Sequence, residues 1–425
     1  MAEADAVRKF CALLVLQAAV SFRSVPRILG LFQSQAQASG GWVPHFTSVI
    51  NWSLRIGLGL LKQVVPIDVP WMAIIDHSID VGTKKALVVL RVPLAALARR
   101  GSAIRLEDCQ CIGLVIAETV NGVTVAQQLE TIFSCAGPPA VITKDCDATL
   151  NKGVRLWMDK VQIKVPVIED IGHVMASALK AQFEHTADYK HFTKLTTKAA
   201  KALRQTDLAF LVPPKLRSKG RFLSISKLAR WGEKMLDVLA VKGRAKRGSV
   251  LARLRAALPG FLKLRPFITT FATTAVTISQ IMSILKNKGL DSKTGTQCRE
   301  FAKHLPANSL VQQRLHTWLD HHGAIQRQLT DLPLIVSSDL IESLFGNFKY
   351  ILERSPQADM NRTTLLLPAL CGNLDPTTLA NALAQASHRD LMDWEAKHIP
   401  YTQRKKRAEF FADDQSQKPG SSSLE

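Results

Sequence analysis

The chain has 425 residues, 47% of them hydrophobic and 21% charged; that is enough apolar side chain for a sizeable core and excludes wholesale disorder. Its 55 Lys and Arg stand against 35 Asp and Glu, for a net charge of +20 and a pI near 9.8, a balance that favours a polyanionic partner bound with release of counterions. Seven cysteines, odd in number and scattered without a CxxC pair, exclude a disulfide framework or a thiolate zinc site and fit reduced intracellular thiols.

The first apolar run, FCALLVLQAAVSF (10–22), has no small-residue cleavage site and runs straight into Arg23 and Arg27. It is also shorter than the roughly 20 apolar residues of a membrane span, so a buried helix is expected and no membrane partner. Helices are predicted next over Ser24 to Gln33 and Thr47 to Lys62, separated by the turn-rich QASGGWVPHF (37–46). Thr47 or Ser48 can cap the later helix, whose first turns carry Asn51 and Arg55 beside Val49, Ile50, Trp52 and Leu54. This suits the last helix of a helix-turn-helix-like DNA-binding domain over 1–66, and equally a small helical bundle with no DNA contact.

From Trp71 the pattern changes to short β-rich runs: WMAIID (71–76), KKALVVLRV (84–92) and CIGLVIAETV (111–120). A helix follows over 124–136 (TVAQQLETIFSCA), with Val125, Leu129, Ile132 and Phe133 on one face. Then come the run PPAVITKD (138–145), a helix over 148–160, the strand VPVIED (165–170) and a helix over 171–184. Three strands, then helix, strand, helix, strand, helix is the order of an RNase H-like mixed sheet flanked by helices, expected over 67–184. In that order an acid is expected to end the first strand and another the fourth, the places held by Asp76 and Asp145.

Beyond 185 the strand signals stop, and an all-α basic insertion domain is expected over 185–330, with PPKLRSKGR (213–221), KGRAKRGS (242–249) and ARLRAALPGFLKLRP (252–266). The C-terminal helical part of the core is expected over 331–400. A basic and then disordered tail should fill 401–425, the disorder beginning near 412.

Phosphodiester cleavage and strand transfer need an activated oxygen nucleophile and a stabilised leaving oxyanion, which two divalent ions roughly 3.5–4 Å apart supply together. Hard oxygen ligands suit Mg²⁺ or Mn²⁺, so carboxylates are the expected donors. Either Asp alone reads as well as a turn former or helix cap; the pair in topological order points to ligands. Asp147 competes with Asp145 from two residues away and is also placed to start the following helix. A third carboxylate can come from PLIVSSDLIESLFGNFKYILE (333–353), where Ile341, Leu344, Phe345 and Phe348 trace an apolar stripe and Glu342 and Lys349 lie off it.

With these residues the chain resembles the DDE transposases of bacterial insertion sequences, including those with a large helical insertion between the second Asp and the Glu. Asp145 in DCDATLNKG resembles the family's D-x-G turn, with Asp147 in place of the glycine. Asp170 and His173 in IEDIGHVMASALK match its C/D-x-x-H motif. Glu342 and Lys349 match the E-x6-K half of Y-x2-R-x3-E-x6-K, whose Tyr and Arg positions hold Ile335 and Ser338 here.

The resemblance implies a transposase that hydrolyses phosphodiester bonds and transfers strands, with Asp76, Asp145 and Glu342 holding two Mg²⁺ or Mn²⁺ ions. Asp170, His173 and Lys349 would support the site or contact DNA. Trp318 would stack on a base, its bland alternative being a core tryptophan. The implied partners are double-stranded DNA at element ends and targets, and further copies of the chain on that DNA. The implied location is intracellular, nucleoid-associated if the chain is prokaryotic.

Overall fold

The structure is a computed structural model that describes residues 2–35, 42–81, 84–216, 221–352, 361–400 and 402–416. The chain divides into two compact units. Met1–Ala96, Ile104–Val167 and Ser338–Glu425 form the first; Leu97–Ala103 and Ile168–Ser337 form the second.

In chain order, α1 (Ala2–Leu16), α2 (Ser24–Gln35) and α3 (Phe46–Lys62) precede β1 (Trp71–Val81), β2 (Lys84–Pro93), the short α4 (Ala96–Arg100) and β3 (Gln110–Ala117). Then come α5 (Gly122–Ala136), β4 (Val141–Lys144), α6 (Ala148–Val161) and β5 (Val167–Glu169), within which the chain passes from the first unit to the second. The second unit continues with α7 (Ile171–Phe183), α8 (Ala187–Leu203), α9 (Ile225–Leu239), α10 (Val250–Ala257), α11 (Arg265–Lys288), α12 (Ser292–Ala302) and α13 (Leu310–Leu329). The first unit resumes with α14 (Asp339–Leu352), α15 (Leu366–Ala369), α16 (Pro376–Gln385), α17 (His388–His398) and α18 (Gln403–Ser416).

The sheet is mixed and five-stranded, in the order β3-β2-β1-β4-β5. β1 runs antiparallel to β2, and β2 to β3. β4 joins the other edge of β1 in parallel, from Met72 opposite Val141 to Ile75 opposite Lys144. A parallel neighbour needs a long crossover, which β2, β3 and α5 provide. This is the RNase H-like arrangement that the order of elements implies.

Strand alternation divides the side chains between two faces. Trp71, Ala73 and Ile75 share one face with Leu87, Val89 and Ile142, packed on Val125, Leu129 and Phe133 of α5 and Leu150, Val154 and Trp157 of α6. The Phe133 and Trp157 rings lie 4.7 Å apart at its centre. Met72, Ile74 and Asp76 point the other way. There Thr143 Oγ1 donates to Met72 Sδ at 3.3 Å. α14 packs on β1, and α3 and α15 on β3; none of their residues belongs to the α5–α6 core.

The expected 1–66 domain is not a separate body: α1 to α3 lie in the same unit as the sheet. Val49, Trp52, Leu54, Ile56 and Leu58 of α3 are buried, against α1, α15, α16 and α17. The other boundaries also move. α7 belongs to the helical unit because Met175, Leu179 and Phe183 are buried where α7 packs on α11 and α13. Residues 331–337 join that unit as well, tied by Leu290 N–H donating to Leu334 O at 2.8 Å. At the C-terminus α18 continues to Ser416, where a disordered tail was expected from about 412.

In the second unit, the segment Phe261–Lys288 is long and apolar enough by composition to cross a membrane. Here the buried Ile268, Phe271, Ala275, Ile278 and Leu285 of α11 form its spine, packed on α7, α9 and α12. Phe271 meets Phe183 edge-on, with centroids 5.0 Å apart.

Candidate functional site

Asp76 and Asp145 stand one step beyond the last parallel pair, Ile75 opposite Lys144. Asp145 follows the end of β4 as expected, but Asp76 does not end β1, which runs on to Val81 because His77 and Ser78 still pair with Leu87 and Ala86 of β2. The two acids therefore occupy matching positions on neighbouring strands, spaced by about 5 Å, and alternation turns both toward the face shared with Met72 and Thr143. Each is half-buried. Asp76 Oδ1 accepts from its neighbour's backbone, His77 N–H, at 2.7 Å, and Asp145 Oδ1 accepts from Asp147 N–H at 2.9 Å.

Asp147 has a different job. Its Oδ1 accepts from Thr149 N–H at 2.8 Å and Leu150 N–H at 3.0 Å, the N-cap of α6, and the residue is exposed. Of the two competing acids, Asp145 is thus the one beside Asp76.

Two residues adjacent to the pair in sequence, directed by strand alternation to the opposite face of the sheet, escaped the sequence reading. His77 Nε2 is buried without a hydrogen-bond partner among the described residues. Burial is the main cause that pushes this imidazole below its ordinary pKa; the charge of Asp147 opposes the shift, Lys85 adds to it and Asp145 opposes it. Lys144 is buried, its Nζ donating to Asn151 Oδ1 and, at 3.2 Å, to Asp145 O. A histidine and a lysine at core-facing positions of their strands were the available signals.

Glu342 lies in the first turn of α14, where an acid is favourable to the helix dipole. Leu340, Ile341, Leu344, Phe345, Phe348 and Ile351 form the buried stripe, and Glu342 and Lys349 lie exposed off it. Side-by-side carboxylates at Asp76 and Asp145 are hard donors that fit Mg²⁺ or Mn²⁺. Among the described residues no group of three or more His, Cys, Asp and Glu side chains is gathered as a metal site.

Comparison with known proteins adds a distant likeness. No family model matches the chain, and no curated protein does. Among solved structures it is similar to the Drosophila P element transposase strand transfer complex, with 10% identity and a TM-score of 0.38, over 82% of this chain and 96% of that one.

Asn51 and Arg55, assigned above to DNA, are engaged inside the first unit. Arg55 Nε donates to Ala386 O at 2.6 Å and Nη2 to Leu383 O at 2.7 Å, closing the C-terminus of α16. There a cation satisfies carbonyls that the helix itself leaves open. Asn51 Oδ1 lies 3.1 Å from His388 Nδ1. Arg55→Ala is expected to cost about 2 kcal/mol in urea unfolding and to leave DNA affinity within about twofold. Lost affinity with unchanged stability would return Arg55 to a DNA-facing role.

Asp170, His173 and Trp318 lie in the second unit. Asp170 is buried and caps α7, Oδ1 accepting from His173 N–H at 3.0 Å and Oδ2 from Ser337 Oγ at 3.3 Å. Trp318 is a core residue, 3% exposed. Its Nε1–H donates to Glu169 O at 3.0 Å, while His322 Nε2 accepts from Glu169 N–H at 3.1 Å. With Nε2 accepting, Nδ1–H donates to Trp318 O at 2.9 Å, and the two rings stack 4.5 Å apart. That tryptophan has no face left for a base.

Burial holds His322 neutral, its pKa pushed down to about 4. A folded pKa below the unfolded value of about 6.5 contributes stability that is complete above pH 6.5 and lost as pH falls toward 4. The loss is expected to reach about 3 kcal/mol, read as a falling urea midpoint between pH 7 and pH 4. His322→Gln cannot take the proton and should flatten that dependence; equal slopes in both proteins would refute the assignment.

Proposed function

We propose that this chain is a DNA transposase of the DDE type, which hydrolyses phosphodiester bonds at element ends and joins the freed 3′ hydroxyl to target DNA. The observation that carries the reading is the parallel register of β1 and β4, which sets Asp76, midway along β1, beside Asp145, just past the end of β4, in an RNase H-like sheet. The net charge of +20 supports a polyanionic partner. In this reading Asp76 and Asp145 hold a divalent cation, Mg²⁺ or Mn²⁺, Glu342 completes a two-ion site, and Lys349 takes a phosphate near the cleaved end. A bound ion of this kind activates water or a 3′ hydroxyl and stabilises the leaving oxygen. The protein's own residues fix the carboxylates: the strand register aligns them and the α6 cap keeps Asp147 out of the pair. The active form is a homo-oligomer on paired DNA ends, inside the cell.

Glu342 is exposed and no three-acid group is gathered among the described residues, which favours a second reading: a transposase-derived DNA-binding protein without catalysis. Incubation with DNA carrying the element ends and Mg²⁺ or Mn²⁺ separates the cases. Nicking and joining support the transposase, nicking alone points to a nuclease of the same fold, and binding without cleavage under any metal supports the second reading.

A further inference from the structure

The second unit contains a groove of about 300 Å³ that the acid pair does not use. One wall is the face of α8 from Thr193 onward with its C-cap residue Arg204, the other is the segment 213–216, and Leu228 of α9 completes the lining. Among the described residues three cations, Lys201, Arg204 and Lys215, line it, and no carboxylate does. All three are exposed, and among the described residues none is in an ion pair or side-chain hydrogen bond. Asp207, close in sequence to Arg204, is paired instead with Arg253 at 2.7 Å.

The hydroxyls of this wall are turned inward. Thr193 Oγ1 donates to Tyr189 O at 3.0 Å and Thr197 Oγ1 to Thr193 O at 2.8 Å, so the donors offered to a ligand are the three cations. Pro213 and Pro214 add a stiff apolar wall. Exposed cations hold one small anion weakly because water and salt screen them. A chain of phosphates engages several at once and gains from releasing its counterions.

We propose that this groove binds the phosphodiester backbone of a DNA strand, with phosphate oxygens on Lys201, Arg204 and Lys215 and sugar against Pro213 and Pro214. The inference rests on the DNA-handling reading above and locates one of its contact surfaces away from the carboxylates.

The test is fluorescence anisotropy of a labelled oligodeoxynucleotide over a salt series, without divalent metal, using the full chain. The triple variant Lys201→Gln, Arg204→Gln, Lys215→Gln is expected to bind at least about tenfold more weakly at 0.1 M salt. Its slope of log affinity against log salt should be shallower by about 2. Lys201 and Arg204 also sit at the C-terminal end of α8, where cations steady the helix, so thermal unfolding is followed in parallel. Thr197→Leu fills the groove without changing charge and is expected to weaken binding with an unchanged melting temperature. A control triple elsewhere on the unit, Lys234→Gln, Lys263→Gln, Lys293→Gln, should lose less than about threefold. Equal losses in the two triples, or full affinity in Thr197→Leu, would overturn the groove. A wild-type protein that binds no oligonucleotide would overturn the DNA reading as well, whereas wild-type binding with unaffected groove variants sinks the groove alone.

Discussion

Asp76→Asn and Asp145→Asn are each expected to lower metal-dependent DNA cleavage by on the order of 10³-fold or more while leaving the fold and metal-free DNA binding intact. The amide keeps the shape of the side chain and removes the charge that a divalent ion needs, and several kcal/mol of transition-state stabilisation go with it. Both residues are half-buried and lie outside the α5–α6 core, so the substitutions should cost little stability. Asp147→Ala is the informative companion. Because Asp147 caps α6 through Thr149 and Leu150, it should lose about 1 kcal/mol of stability and keep cleavage within a few-fold. The reverse pattern, with Asp147→Ala inactive and Asp145→Asn active, would exchange the two assignments. Glu342→Gln tests whether α14 contributes: activity equal to wild type would remove Glu342 from the site.

Local structure was largely legible because it is written in near neighbours. The helix expected over 148–160 runs Ala148–Val161, started by the same Asp147 whose competing role could not be dismissed from sequence. The helix expected from Thr124 begins two residues earlier, since Asn121 accepts from both Val123 and Thr124 backbone N–H groups and caps it. The end of the fourth strand was legible, since β4 stops at Lys144 just before Asp145; the end of the first was not, since β1 runs past Asp76 to Val81 on pairing with β2. The choice of partner for each helix escaped as well. Arg55 reads as a groove contact until Leu383 and Ala386, more than 300 positions away, supply its acceptors. Trp318 stacks on His322 within its own helix, yet its indole N–H bonds Glu169, 149 positions earlier. No window of sequence contains such pairs. α7 was assigned to the sheet for the same reason, because its periodicity shows an apolar face and not which helices cover it.

Gly57→Ala and Gly59→Ala in α3 are expected to destabilise the first unit by about 3 kcal/mol or more each, a sign opposite to what helix propensity predicts. In a helix with a free surface, Gly→Ala gains up to about 1 kcal/mol. Here a Cβ on Gly57 would overlap the Leu365 carbonyl oxygen and come within 2.8 Å of its carbonyl carbon, and one on Gly59 would overlap the Ala382 carbonyl oxygen. Both obstacles are backbone, which cannot rotate aside as a side chain does, so a whole helix must shift and the packed contacts with it. Gly30 in α2 provides the internal control. Nothing lies within 4 Å of its would-be Cβ, and Gly30→Ala should raise stability by about 0.5–1 kcal/mol. Urea unfolding of the three variants reads the signs directly. Gly57 and Gly59 approach different partners, the turn before α15 and α16 itself, so α3 is enclosed on two sides. A helix enclosed in that way positions the C-terminal helices against the sheet and cannot also lie in a major groove. Stabilisation by Gly57→Ala, as in Gly30→Ala, would show that α3 has a free face after all and would reopen the helix-turn-helix assignment of the first 66 residues.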